Sequence, residues 1–274
     1  MPIEQGSGPA RVRVFAAEPG SGVHARARAL ADQLGLSFFP FETPPAVDEV
    51  DLILAVTAER LELRENAGRR SRPLVIDFTS GDLDRRRRTA LDKNQPLARA
   101  LGLRKGTSFV VDATAGFLGD TFHLACLGCR VIAIERSPVM AILAADGLSR
   151  ALRVAAPDLV DILGRVRLVH AEAKDFLARP SLPFRPDAVF LDPMYDGGDR
   201  TALPRKELRV ARELVGGDLD AHELLDIARR TARRRVVVKR HPDAPPLSEP
   251  ASIQFRARTV RYDVYLSPDQ RCSP

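Results

Sequence analysis

The stretch that most restricts what this chain can fold into is Val110-Val111-Asp112-Ala113-Thr114-Ala115-Gly116-Phe117-Leu118-Gly119-Asp120. Its β-branched start reads as a buried strand. Small residues and two glycines then predict a tight turn, and Thr121 to Leu127 has helical character. Strand, glycine turn and helix together make a cofactor floor in α/β proteins. The turn lets backbone approach a ligand, and the helix start offers free N–H groups. Arg130 to Ile134 reads as the next strand, and it ends at Glu135. An acid about 20 residues beyond the glycine turn can accept hydrogen bonds from both ribose hydroxyls of an adenosine cofactor. Asp112, Gly116, Gly119, Asp120 and Glu135 are therefore the first candidate cofactor-binding residues.

The rest of the chain supports an α/β reading. Residues 11–16 alternate like a strand, and Ser21 stands as a cap for a helix from Val23 to Leu34, ended by Gly35. Strands are expected at 51–56 and 74–78, which makes the first third a small α+β unit without a catalytic cluster. Pro96 to Leu101 reads as a helix stopped by Gly102, and Ser137-Pro138 opens another that runs to about Leu152. Val166–Val169, Asp187–Leu191, Val236–Lys239 and Arg261–Tyr265 complete the expected strands. Strands alternating with helices predict a doubly wound, mostly parallel sheet with ligands at the carboxyl ends of its strands. The division expected is a small α+β domain over 1–84 and a cofactor-binding domain over 85–274.

The chain of 274 residues carries a net charge of +6, and the excess is clustered arginine. Arg85 to Arg88 form one run, and seven basic residues without an acid lie between Arg229 and Arg240. Such patches suit phosphate backbones. Cys126 and Cys129 have C-x2-C spacing, but no second Cys/His pair stands at ligand distance. Gly128 reads as a helix stop, so both are structural cysteines and no metal is expected. No apolar run reaches transmembrane length, and the N-terminus has no basic segment followed by an apolar one; a cytoplasmic location is expected.

Asp192-Pro193-Met194-Tyr195 selects the chemistry. Hydride transfer has no need of this motif, whereas methylation of a base amine does. The lone pair of an exocyclic nitrogen is delocalised into the ring until acceptors hold its N–H groups. Asp192 and the Pro193 carbonyl suit that role, and Tyr195 can stack the base. A nicotinamide oxidoreductase, a non-catalytic RNA-binding module and a methyltransferase for another acceptor, such as DNA adenine or a protein amide, are the alternatives.

At these residues the chain resembles the RsmJ family of ribosomal small-subunit (16S) RNA guanine-N2 methyltransferases, which use S-adenosylmethionine on a Rossmann-like class I fold. Asp112 to Gly116, Gly128 to Val131, Glu135 to Pro138, Leu191 to Tyr195, Lys206 to Val210, Leu214 to Asp220 and Arg235 to Arg240 carry the resemblance. It runs from about Arg86 to Tyr265. It implies cofactor contacts at Gly119, Asp120, Glu135, Arg136, Glu172, Ala173 and Asp192, and 16S RNA or the small ribosomal subunit as partner. The family usually reads Gly-Leu-Gly-Arg-Asp in the turn, where this chain has Gly116-Phe117-Leu118-Gly119-Asp120. Glu172 and Ala173 replace the family's small hydroxyl residues.

Overall fold

The structure is a computed structural model. It describes residues 11–46, 51–65, 72–89, 94–154, 156–179, 184–194, 210, 214, 220–248 and 250–267. Contacts divide the chain into two units: Met1–Ile76 with Ser137–Arg150 and Pro204–Gly216, and Asp77–Arg136 with Ala151–Leu203 and Gly217–Pro274.

In the first unit, β1 (Val12–Ala16) leads into α1 (Ser21–Leu34) and β2 (Phe38–Phe39), followed by β3 (Leu52–Val56) and β4 (Leu61–Glu65). The sheet order is β2-β1-β3-β4; β1 runs parallel to β2 and β3, and β4 is antiparallel to β3. Gly35 stops α1 in the left-handed region at φ 65°, its N–H donating to Ala31 and Asp32 carbonyls. Ser21 is the first helical residue rather than the cap; Gly20 takes that place and no side chain caps the helix. Asp146 is a charged hub in this unit. It accepts from Arg26 at 2.9 Å, from Arg150 at 2.7 Å and from the Leu61 N–H at 3.1 Å.

The expected strand at 74–78 is not formed. Only Leu74 pairs, bridging Leu63. Three residues on, the Asp77 carboxylate accepts from the Thr79 N–H and from the Thr79 and Ser80 hydroxyls at 2.7–2.8 Å. A short acidic side chain that bonds its own following residues offers the backbone a turn in place of a ladder.

The second unit contains α2 (Gly81–Thr89), α3 (Pro96–Leu101), β5 (Phe109–Asp112), α4 (Gly119–Cys126), β6 (Arg130–Glu135), α6 (Pro157–Leu163) and β7 (Val166–His170), with α5 (Pro138–Val154) preceding α6 in the chain. There follow α7 (Ala173–Leu177), β8 (Ala188–Leu191), α8 (Ala221–Thr231), β9 (Arg235–Arg240), β10 (Ile253–Arg256) and β11 (Arg261–Leu266). The seven strands lie in the order β10-β11-β9-β8-β5-β6-β7. From β9 to β7 every pair is parallel, and β11 is antiparallel to both its neighbours. This is a mixed, Rossmann-like sheet, with β5 at the point where strand order reverses.

Side chains alternate between the two faces of each strand. Val111, Val189, Leu191, Val236 and Val238 pack on one face with Leu177, Leu224 and Leu225 of α7 and α8. Val110, Ala188, Phe190 and Val237 pack on the other with Leu97, Leu101, Leu124 and Ala125 of α3 and α4. A sheet covered on both faces explains why these strands read as unbroken apolar runs.

Candidate active site

The parity of the strands sets which polar side chains meet. Phe190 faces α4, so Asp192, two residues on at the tip of β8, falls on the same side. Val237 faces α4, so Lys239 does too. Leu191 pairs with Val238, and one further step of that register brings Asp192 beside Lys239. Asp112 shares the parity of Val110 and ends β5. These three ends converge on the first turn of α4, which supplies Asp120 and Thr121.

The Lys239 Nζ donates to Asp120 Oδ2 at 2.6 Å and to Asp192 Oδ2 at 2.7 Å. Burial works against charge on this ammonium, but the two carboxylates outweigh it and hold Lys239 protonated far above neutral pH. The Asp192 N–H donates to Thr114 Oγ1 at 2.7 Å, which ties the tip of β8 to the cofactor loop. The Asp192 side chain keeps 37 % of its surface open. Burial of its inner part and the neighbouring Asp120 charge push its carboxyl up to about 6, against the pull of Lys239. Pro193 is buried behind it. Tyr195, the expected stacking residue, lies outside the described residues.

Asp112 is 1 % exposed. Its carboxylate accepts from the Thr121 hydroxyl at 2.6 Å and from the Thr114 N–H at 3.1 Å. Burial nevertheless raises its carboxyl to about 7, with the Asp120 and Asp192 charges adding to the effect. The loop after it turns twice through the left-handed region, at Gly116 (φ 53°) and Leu118 (φ 61°). Leu118 is the only non-glycine residue with positive φ among those described. Gly119 begins α4 instead. Leu118 thus takes a left-handed conformation, and the second glycine, one place later than in the family pattern, opens the helix. Leu118 is fully buried, and its packing holds a backbone conformation that costs an L residue about 1–2 kcal/mol.

Glu135, 4 % exposed, ends β6 and accepts from the Gly116 N–H at 2.7 Å, so one contact joins the glycine turn to the next strand tip. Arg136 pairs with Asp220 at 3.5 Å, and its carbonyl accepts from the His170 ring at 3.3 Å. Glu172 caps α7 through its backbone and Ala173 is buried as that helix's first residue. Asp112, Gly116, Gly119, Asp120, Glu135, Arg136, Glu172, Ala173, Asp192 and Pro193 therefore all lie at or just past the carboxyl ends of β5 to β8. Lys239 was not legible as a site residue. The available signal was a lysine directly after three valines of a buried parallel strand.

The donor set fits an adenosylated sulfonium cofactor. Buried carboxylates at successive strand tips can accept from ribose hydroxyls and an amino group. Asp120 and Asp192 share the Lys239 ammonium, and Asp112 and Asp192 are held above the usual carboxylate range, an electrostatic deficit that a bound cation would relieve. The cysteines take no part. Neither Cys126 nor Cys129 forms a disulfide, and burial raises the Cys126 thiol to about 11.

Comparison with known proteins agrees with this geometry. The SAM-dependent methyltransferase family matches residues 41–267. Ribosomal RNA small subunit methyltransferase J of Thioalkalivibrio sulfidiphilus is 43% identical over 247 residues, covering 88% of this chain and 93% of its own. The protein of the same name from Nitrosococcus oceani is 41% identical over 244 residues, with the same coverage. A crystal structure of a SAM-dependent methyltransferase from Neisseria gonorrhoeae superposes with a TM-score of 0.70 at 30% identity, covering 96% of this chain and 99% of that one. The chain belongs to the ribosomal RNA small subunit methyltransferase J family of S-adenosylmethionine-dependent methyltransferases.

Proposed function

We propose that this protein transfers a methyl group from S-adenosylmethionine to the exocyclic N2 of a guanine in 16S ribosomal RNA. The observation that carries the reading is Asp192-Pro193 at the tip of β8, beside the cofactor loop and bonded to it through Thr114. The names of the 41–43% identical relatives supply the substrate class. Methyl transfer is assigned to residues 85–274, and residues 1–84 are read as an α+β lid or docking module.

When bound, S-adenosylmethionine supplies an electrophilic methyl group on a positively charged sulfur. The protein's own residues do the rest. Glu135 accepts from the ribose hydroxyls, fixed in orientation by the Gly116 N–H. Gly116, Gly119 and Asp120 form the floor, and Asp112 braces it through Thr114 and Thr121. Arg136, Glu172 and Ala173 border the adenine edge at the ends of β6 and β7. Asp192 and the Pro193 carbonyl accept the N–H groups of the amine, which aims its lone pair outward, and Tyr195 stacks the base. A guanine must leave its stack to reach this position. Orientation and charge placement supply most of the acceleration.

Two substitutions separate these roles. Asp192→Ala is expected to abolish turnover while cofactor affinity, read by calorimetry, stays measurable. Glu135→Ala is expected to weaken cofactor binding. Turnover in Asp192→Ala at the wild-type rate would remove the acceptor role, and unchanged affinity in Glu135→Ala would remove the ribose role.

A further inference from the structure

One basic side chain of the site has no part in the scheme above. Lys239 is the only residue of β9 whose charged end enters the cluster at the strand tips. It contacts the carboxylate on which the function reading turns. Its second contact, Asp120, comes from a different element, so the ammonium is fixed from both sides. It bonds Oδ2 of Asp192, and no donor among the described residues bonds Oδ1.

We infer that Lys239 is a positioning residue for methyl transfer: its ammonium clamps Asp120 to Asp192, so that Asp192 presents its second carboxylate oxygen, as an anion, to the incoming amine. The inference rests on the reading of Asp192 as the amine acceptor and extends it.

The physical argument starts from crowding. Asp192 faces the Asp120 carboxylate of α4 and feels the Asp112 carboxyl of β5, and among the described residues the cation paired with Asp120 and Asp192 is Lys239 of β9. Two carboxylates that share a site without a cation cannot both stay ionised near neutral pH; one takes up a proton. A protonated Asp192 is a poor acceptor for an N–H, and it cannot take a proton. As the nitrogen–methyl bond forms, with the electron pair of the breaking carbon–sulfur bond left on sulfur, Asp192 accepts one amine proton and releases it to solvent. Lys239 keeps the acceptor charged before that step. It does not exchange the proton itself, because the two carboxylates hold it protonated throughout. Geometry contributes as well. A carboxylate held at one oxygen by an ammonium and at its own backbone N–H by Thr114 has few orientations left.

The test uses the full chain in three forms, wild type, Lys239→Met and Asp120→Asn. Single-turnover transfer to small-subunit RNA is followed from pH 5.5 to 9, and aspartate carboxyl carbons are titrated by NMR in the ligand-free proteins. The wild-type rate is expected to fall below about pH 6. Without its cation Asp192 should ionise later, so Lys239→Met moves that limb up by about one pH unit or more. Asp120→Asn removes a like charge and moves it down. The Asp192 carbon signal should move in the same two directions.

A uniform loss of rate at every pH, with the carbon titrations unmoved, would mean that Lys239 is only structural and would overturn the inference. Should Lys239→Met fail to fold, the downward shift in Asp120→Asn decides, and its absence overturns the inference equally. If the wild-type protein methylates no guanine, the function reading falls, while the ligand-free titrations still decide the role of Lys239.

Discussion

At the scale of single residues, the site is a set of charges held in unfavourable surroundings by their neighbours. Asp112 is the clearest case. Its folded carboxyl titrates near 7, well above the ordinary value of 3.8, because burial outweighs the Thr121 and Thr114 hydrogen bonds. A raised carboxyl binds more protons folded than unfolded between those two values, so its contribution to stability is greatest below about pH 4 and is lost as pH rises to about 7. Asp112→Asn keeps the shape and removes the charge. In the ligand-free protein it should raise stability by about 3–4 kcal/mol at pH 8 and by about 1–2 kcal/mol at pH 5. Urea unfolding at the two pH values checks this; an equal effect at both would contradict it. Asp112, Glu135 and Asp192 were legible because acids at strand ends stand out against apolar runs. Lys239 was not, because its significance lies in a neighbour 47 residues away that only the register of β8 and β9 brings beside it.

At the scale of elements, the strands buried on both faces were legible and the exposed edge strand β10 was not. Strands β5, β6, β8 and β9 are covered on both faces and read as apolar runs. The edge strand β10, Ile253-Gln254-Phe255-Arg256, is largely exposed, so no burial pattern marks it. Residues 74–78 have strand composition, yet the Asp77 turn diverts them. Helix stops were readable where glycine was required. Gly102 ends α3 at φ 73°, and a Cβ there would lie 2.9 Å from the Arg235 guanidinium carbon. That guanidinium is buried and donates to the Ala100 carbonyl at 3.1 Å, so it has little room to yield. Gly102→Ala adds left-handed strain of about 1–2 kcal/mol to this clash and should lower the unfolding free energy by about 2–3 kcal/mol in total. Thermal unfolding checks it; a midpoint within one degree or so of wild type would contradict the close packing of Gly102 on Arg235.

At the scale of the whole molecule, the net charge of +6 overstates the arginine left for a partner. In α2, Arg87 and Arg88 both pair with Asp84. In the second basic stretch, Arg235 and Arg240 are buried on carbonyl oxygens, Arg234 donates to the Lys105 carbonyl, Arg233 faces Asp187 and Lys239 belongs to the site. Arg261 forms a buried pair with Asp263. Composition could not separate these internal uses from a surface, because the arginines find their partners through tertiary contacts. No described helix is long and apolar enough to cross a membrane. The proposed reaction is decided at one atom of the substrate, the exocyclic nitrogen of a guanine. The measurement that reaches it is nucleoside mass spectrometry of small-subunit ribosomal RNA and particles after incubation with the protein and methyl-labelled S-adenosylmethionine. The account predicts labelled N2-methylguanosine, absent with Asp192→Ala. Label in any other nucleoside, or no label while cofactor binding is intact, would contradict it.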